Sequence, residues 1–247
     1  MNAQYDAIAE QYRRSKESPL RRYVEAFTFA ALVGDVRGKQ VLDLACGEGF
    51  YSRRLKAAGA ARVVGVDVSG EMIDLAREQE RAAPLGIEYL RADVRDLGDC
   101  GLGCFDIVVA AYLLHYAPDE AGLACMAANI ARHLPAGGRF VTLNENPEQP
   151  AERFAGYEQY GFNKAAELPL RDGARLTYWM VAGRDMFSIH AHWYSRATYE
   201  RVMSAAGFGS LVWHPLRLDE AGIAAHGREY WREYLSNPPV VGLECRV

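Results

Sequence analysis

Val41-Leu42-Asp43-Leu44-Ala45-Cys46-Gly47-Glu48-Gly49-Phe50-Tyr51-Ser52 reads as a buried strand that runs into a glycine turn and then a helix. Val41 to Ala45 sets apolar residues on both sides of Asp43, as a strand covered on both faces does. Gly47 and Gly49 allow a tight turn and a close approach of backbone to a ligand. Phe50 to Ala58 then takes up helical spacing that Gly59 can close with a left-handed cap. Arg62 to Asp67 follows as a second strand ending on an acid. A strand, turn, helix and strand in that order predict parallel pairing through a crossover helix.

The same rhythm continues outward. Ser69 is placed to N-cap a helix carrying Met72, Leu75 and Ala76 on one face. Ile87 to Ala92, Phe105 to Ala111 and Arg139 to Leu143 read as further strands, with a helix over Asp119 to Leu134 between the last two. The expected fold is α/β, a doubly wound, Rossmann-like parallel sheet. The rhythm breaks at Asn144, and a stretch of this length needs a job of its own. Its second half reads as a hairpin, Arg175 to Met180 and Ser188 to Tyr194. Beyond it come a helix over Thr198 to Ala206, a strand near Leu211 to Pro215, a helix around Arg228 to Leu235 and a last strand near Val240 to Val247. One domain, 1–247, is expected. It divides into an N-terminal helical lid at 1–37, a cofactor-binding core at 38–145, a substrate cap inserted at 146–196, and the rest of the sheet at 197–247.

Composition agrees with a globular domain: 247 residues, 50% hydrophobic, 24% charged, with a net charge of −4. That balance lacks the basic surplus of a nucleic-acid or anionic-membrane binder, so a small-molecule partner is expected. No signal segment or membrane span is legible in the chain, and its odd, irregularly spaced cysteines read as free thiols, which together predict a cytoplasmic protein. A monomer or homodimer is expected, and the sequence does not choose between them. Cys100 and Cys104 lack the second pair of a structural zinc site, and no metal is expected.

Ligands of open parallel sheets sit outside the carboxyl ends of the strands. Asp43, Asp67 and Asp93 are the acids there, and one at the end of the second strand can accept both hydroxyls of a ribose. A dinucleotide turn wants a third glycine where Ser52 stands, and Glu48 and Asp43 would repel a pyrophosphate. A phosphate-free, cationic nucleoside fits: S-adenosylmethionine.

VLDLACGEGFYSRRL (41–55), VVGVDVS (63–69), RADVRDL (91–97), FDIVVAAYLLHY (105–116) and LPAGGRFVTL (134–143) resemble, in order and spacing, the successive motifs of class I S-adenosylmethionine-dependent methyltransferases. The resemblance implies a seven-stranded sheet with its last strand antiparallel. It implies that Gly47 and Gly49 pass under the methionine part, that Asp67 holds the ribose, and that Asp93 and Val94 meet the adenine. Asp43 would orient the turn or meet the ammonium through water; Val68, Ala110 and the lid residue Tyr12 complete the cofactor set. FAGYEQYGF (154–162) and YDAIAEQY (5–12) are similar to natural-product methyltransferases of the toxoflavin N-methyltransferase and indole C3-methyltransferase group.

The acceptor side follows from position. His115, past the fourth strand, is a candidate base or a packing residue, and Tyr23 joins it as a candidate catalytic group on the lid. Asn144 and Glu145 end the fifth strand and are placed to hydrogen-bond the acceptor. Tyr157, Tyr160, Trp179, His192 and Tyr194 of the insertion are expected to wall a pocket for a flat ring. His190 and His192 alternate on one strand face, a spacing that can bind metal, but no acidic third ligand is near. The expected reaction is methyl transfer to a nitrogen or carbon of a small aromatic heterocycle. A nicotinamide-dependent dehydrogenase and a non-catalytic, methyltransferase-like binding subunit are the alternatives.

Overall fold

Alternating β-branched runs and capped helices wind the first half of the chain into a parallel sheet in the computed structural model, which describes residues 5–15, 18–182 and 185–247. Helix α1 (Ala9–Ser15) is followed by a π-helical turn, Arg21–Glu25, that passes into α2 (Ala26–Val33). Then come β1 (Gln40–Leu44), α3 (Phe50–Ala57), β2 (Arg62–Asp67), α4 (Gly70–Ala82), β3 (Glu88–Arg91), β4 (Ile107–Ala111), α5 (Glu120–Arg132) and β5 (Arg139–Glu145). The inserted segment holds β6 (Phe162–Ala166), β7 (Ala174–Ala182) and β8 (Asp185–Trp193), and the chain closes with α6 (Arg196–Ala205), β9 (Ser210–His214), α7 (Glu220–Ser236) and β10 (Val240–Arg246). Side-chain caps start four of these helices: Ser69, Asp119, Ser195 and Asp219 accept from the backbone N–H groups of Met72, Gly122, Thr198 and Ala221.

The main sheet runs β3-β2-β1-β4-β5-β10-β9, with β10 antiparallel to both neighbours, as the resemblance implies. The order reverses between β1 and β4, so a crevice opens at the carboxyl ends of these two strands. On one face Leu42, Leu44, Val108 and Phe140 pack beneath α5 and α6; on the other, Val41, Val109 and Leu143 pack beneath α2, α3 and α4. No helix among the described residues is long and apolar enough to cross a membrane.

Three expectations are corrected. The inserted segment is a three-stranded sheet rather than a hairpin, because Phe162–Ala166 pairs antiparallel with β7 although its Asn, Lys and Ala residues carry no strand signature. The helix expected over Arg228 to Leu235 is the second half of α7, which begins at Glu220 and bends at Gly227, where φ is 76°. The first strand ends at Leu44, since Ala45 already takes a left-handed φ of 53°.

The insertion has a small core of its own around Phe154, Leu176 and Ala191, and a larger one shared with its neighbours. Tyr157, Tyr160, Phe162 and Met180 form one apolar cluster with Leu20 and Val24 from the N-terminal side and with Trp231 and Tyr234 of α7. A buried ion pair fastens it to the main sheet: Lys164 on β6 contacts the Glu145 carboxylate at the end of β5, and the Tyr178 hydroxyl donates to the same carboxylate. Lys164→Ala leaves that carboxylate buried without its cation and is expected to lower the unfolding free energy by about 3–5 kcal/mol, read as a fall in the urea midpoint.

Candidate active site

The turn after β1 is shaped by three left-handed residues, Ala45, Gly47 and Gly49, at φ 53°, 57° and 86°. The Cys46 N–H donates to the Val66 carbonyl at 3.0 Å, which keeps the turn beside β2. The Gly47 N–H donates to Asp67 Oδ2 at 2.8 Å and the Ser69 N–H to Asp67 Oδ1 at 2.9 Å. An ionised carboxylate has about four acceptor positions, so holding the turn does not exhaust Asp67.

A cavity of about 300 Å³ opens in front of this turn, a size within the usual range of small-molecule sites. Of the residues assigned to the cofactor from the sequence, Tyr12, Gly47, Asp67, Val68, Asp93 and Val94 line it. Asp93 lies at its edge with both oxygens held by the Arg95 side chain, at 3.0 and 2.6 Å, and Arg95 keeps its carboxyl below the usual carboxylate range. Three assigned residues lie outside the wall. Asp43 is buried under the turn and accepts from Ser52 Oγ at 2.6 Å, tying α3 to β1. Gly49 is a glycine for packing and for its φ, since a Cβ there would stand 2.3 Å from the Tyr89 hydroxyl. Ala110 faces the apolar core, and its neighbour Ala111 lines the cavity instead, as side-chain alternation along β4 requires.

A second cavity, about 80 Å³, adjoins the first, and Tyr12, Arg21, Tyr112 and Tyr116 line both. Arg21 donates to Glu25 Oε2 at 2.7 Å and lies 4.7 Å from the centre of the Tyr112 ring. Burial disfavours the Arg21 charge, but the Glu25 carboxylate together with Tyr112, Tyr12 and Tyr51 outweighs it and raises the guanidinium. Tyr112 sits at φ 70°, a backbone cost that its N–H bond to the Leu143 carbonyl, 2.9 Å, and its contact with Arg21 help to offset. From the segment before α1, the Tyr5 hydroxyl meets the Tyr116 hydroxyl, and Asp6 accepts from Ser69 Oγ at 2.5 Å, so this segment lies over the first cavity.

The acceptor-side expectations divide. His115 and Tyr160 line the second cavity, and His192, with His190, lines the first. His115 Nδ1 lies 3.1 Å from Asn144 Oδ1, and burial pushes its imidazole down to about 4, against that hydrogen bond. Tyr23, expected at the reacting centre, packs against His226 and Trp231 of α7, away from both cavities, because its turn of helix points the other way from Arg21. Asn144 is fully buried and serves His115, and the Glu145 carboxylate is taken by Lys164 and Tyr178, so neither lines a cavity. The Tyr157 hydroxyl donates to the Asn237 carbonyl at 2.5 Å and the Tyr194 hydroxyl to the Ala117 carbonyl at 2.9 Å, both within packed core. Trp179 is exposed on the outer face of the inserted sheet.

Arg21, Glu25, Tyr112, Tyr116, Tyr178 and Tyr234 are among the wall residues of the second cavity that sequence reasoning left out. Arg21 and Glu25 carry one signal, opposite charges four residues apart, but that spacing equally suits a solvated helix face. Among the described residues no group of three His, Cys, Asp or Glu side chains stands close enough to hold a metal ion.

Residues 41–138 match the family described as a methyltransferase domain. A ubiquinone biosynthesis O-methyltransferase of Coxiella burnetii is 32% identical over 168 residues, 64% of this chain and 69% of that protein. The chain belongs to the class I S-adenosylmethionine-dependent methyltransferases. That membership removes the nicotinamide-dehydrogenase alternative. A ubiquinone biosynthesis O-methyltransferase of Neisseria meningitidis is 34% identical over 116 residues, 46% of this chain and 48% of its own length. The chain thus spans about half the length of most of the curated relatives it matches. A solved S-adenosylmethionine-dependent methyltransferase from Mesorhizobium loti shares the fold, with a TM-score of 0.63 and 23% identity over 94% of this chain and 100% of that one.

The methyltransferase site fits S-adenosylmethionine on its own chemistry: Asp67 offers acceptor oxygens at the end of β2, and Val68, Val94 and Met126 offer apolar surface for a flat base. The buried His115 makes a separate prediction. An imidazole that titrates near 6.5 in the unfolded chain and near 4 when folded favours the unfolded state as protons are added between these values. Stability is therefore full above about pH 6.5 and falls as the pH drops toward 4, by at most about 1.4 kcal/mol per pH unit for this group. Urea titrations across that window should show a shallower fall for His115→Asn than for the wild type.

Proposed function

We propose that this methyltransferase transfers the methyl group of S-adenosylmethionine to a nitrogen or carbon of a small aromatic heterocycle, in the manner of the toxoflavin and indole methyltransferases of natural-product biosynthesis. The carrying observation is the wall of Tyr12, Arg21, Tyr112 and Tyr116 that the two cavities share. It puts a ring-lined chamber directly beside the cofactor chamber. When bound, S-adenosylmethionine supplies an electrophilic methyl on a sulfonium. Asp67 would accept the ribose hydroxyls, Gly47 would let backbone pass beside the methionine part, and Val68 and Val94 would flank the adenine.

The second cavity has room for roughly five water molecules, about the bulk of one aromatic ring, and Tyr160, Phe162 and Tyr178 give it stacking faces. An acceptor that turns cationic on methylation gains from such faces. His115 stays neutral near pH 7 and is a weak proton acceptor, which favours a role in hydrogen bonding and shape over proton removal. Residues 5–15 would act as the lid, and 146–196 as the acceptor cap, so that closure excludes water and aligns the ring with the methyl.

A second reading is transfer to a ring hydroxyl. The curated relatives favour it, since those matched are named as ubiquinone biosynthesis O-methyltransferases.

Radiolabelled methyl transfer across a panel of heteroaromatics, tryptophan cyclic dipeptides and catechols separates the two readings. Label on nitrogen or carbon is the expected outcome, label on oxygen selects the second reading, and no label on any ring refutes both. Asp67→Ala should weaken S-adenosylhomocysteine binding at least about tenfold by calorimetry, the loss of charge-assisted hydrogen bonds.

A further inference from the structure

We infer that Glu25 is the acceptor-recognition residue: its carboxylate takes the proton-bearing ring atom, N–H or O–H, of a neutral aromatic acceptor in the second cavity. The inference rests on the aromatic-acceptor reading above and narrows it to rings that carry such a donor. Glu25 closes the π-helical turn Arg21–Glu25, a helix distortion that recurs at functional sites. Its side chain is only 4% exposed, yet it lines the second cavity and not the first. Oε2 accepts from Arg21, while Oε1 has no hydrogen-bond partner among the described residues.

The same wall holds a second polar atom in that condition, the Tyr234 hydroxyl, which is buried without a partner. A buried polar atom without a partner costs about 1–3 kcal/mol, so the Tyr234 hydroxyl, in the same wall as a Glu25 oxygen that accepts no hydrogen bond, points to a ligand that completes this polar edge of the cavity. Arg21 already balances the Glu25 charge, which leaves no surplus cation for an anionic acceptor and leaves an acceptor oxygen for a donor. Positive charge gained by the ring on methylation makes its N–H or O–H a stronger donor. The hydrogen bond to Glu25 is then stronger in the transition state than in the ground state, the condition for raising turnover.

Calorimetric titration of the protein saturated with S-adenosylhomocysteine tests this with two matched pairs: indole against 1-methylindole, and phenol against anisole. The donor-bearing member of at least one pair should bind about tenfold more tightly, the scale of one hydrogen bond to a charged group, and the pair that shows it tells a ring nitrogen from a hydroxyl. In Glu25→Gln the amide oxygen must turn to Arg21 and its NH₂ to the cavity, so the preference should vanish. Glu25→Ala should lose it as well, and retained S-adenosylhomocysteine binding certifies that either variant is folded. If both variants fail that control, the wild-type contrast alone decides. Equal binding within both wild-type pairs, or a preference that survives in a folded variant, overturns the role of Glu25 while the aromatic-acceptor reading stands. Failure of all four probes to bind removes the aromatic-acceptor reading and this inference with it.

Discussion

The Gly47 and Ser69 N–H groups donate to opposite oxygens of the Asp67 carboxylate, at 2.8 and 2.9 Å, and much of the site follows from that bridge. One side chain at the end of β2 fixes the glycine turn after β1 and the entry to α4 together. The turn can then run through three left-handed residues without drifting into the crevice. Because the strand order reverses at β1, the opening in front of the turn is a direct product of topology. Asp43, one strand over, supports the same turn from below through Ser52. Two acids near the carboxyl ends of adjacent strands, Asp43 in register with Gly65 and Asp67 two residues further along, therefore do different work, one facing the ligand chamber and one buried beneath the turn.

The inserted sheet shares most of its core with its surroundings and adds a small cluster of its own around Phe154, Leu176 and Ala191. One face leaves Trp179, Val181 and Met186 exposed, while the other is covered by the N-terminal turn and by α7. Its position is set by those neighbours and by the buried Lys164–Glu145 contact. Burial pushes the Lys164 ammonium down, against the pull of Glu145, so the pair holds its place through geometry and shared hydrogen bonds more than through net attraction. This arrangement puts Tyr178 and Tyr160 in the wall of the second cavity, and the same apolar cluster that shapes the cavity anchors the insertion.

The cofactor side was largely legible because its residues are neighbours in sequence within strand, turn and helix units. Gly47, Asp67, Val68, Asp93 and Val94 all fall at strand ends and line the first cavity. Alternation along a strand fixes which residues share a face but not which face meets the cavity, and in β4 it is Ala111 rather than Ala110 that does. The acceptor side was less legible. Tyr157, Tyr194 and Trp179 carry the same ring chemistry as Tyr160 and Tyr178, and only packing against α7, the Ala117 carbonyl or solvent sorts them. Tyr23 and Arg21 lie two residues apart, and the turn that connects them decides which one meets the cavity.

By itself the sequence determined the strand and helix order, the glycine turn, the helix caps and the acid at the end of β2. These depend on local periodicity, backbone freedom at glycine and side chains that bond their own backbone. The tertiary structure alone decided the third strand of the insertion, the bend in α7, the buried Lys164–Glu145 pair and the Arg21–Glu25 pair between the chambers. Each of these is stabilised by partners far away in the chain or by removal from water, and a run of neighbouring residues carries no record of either.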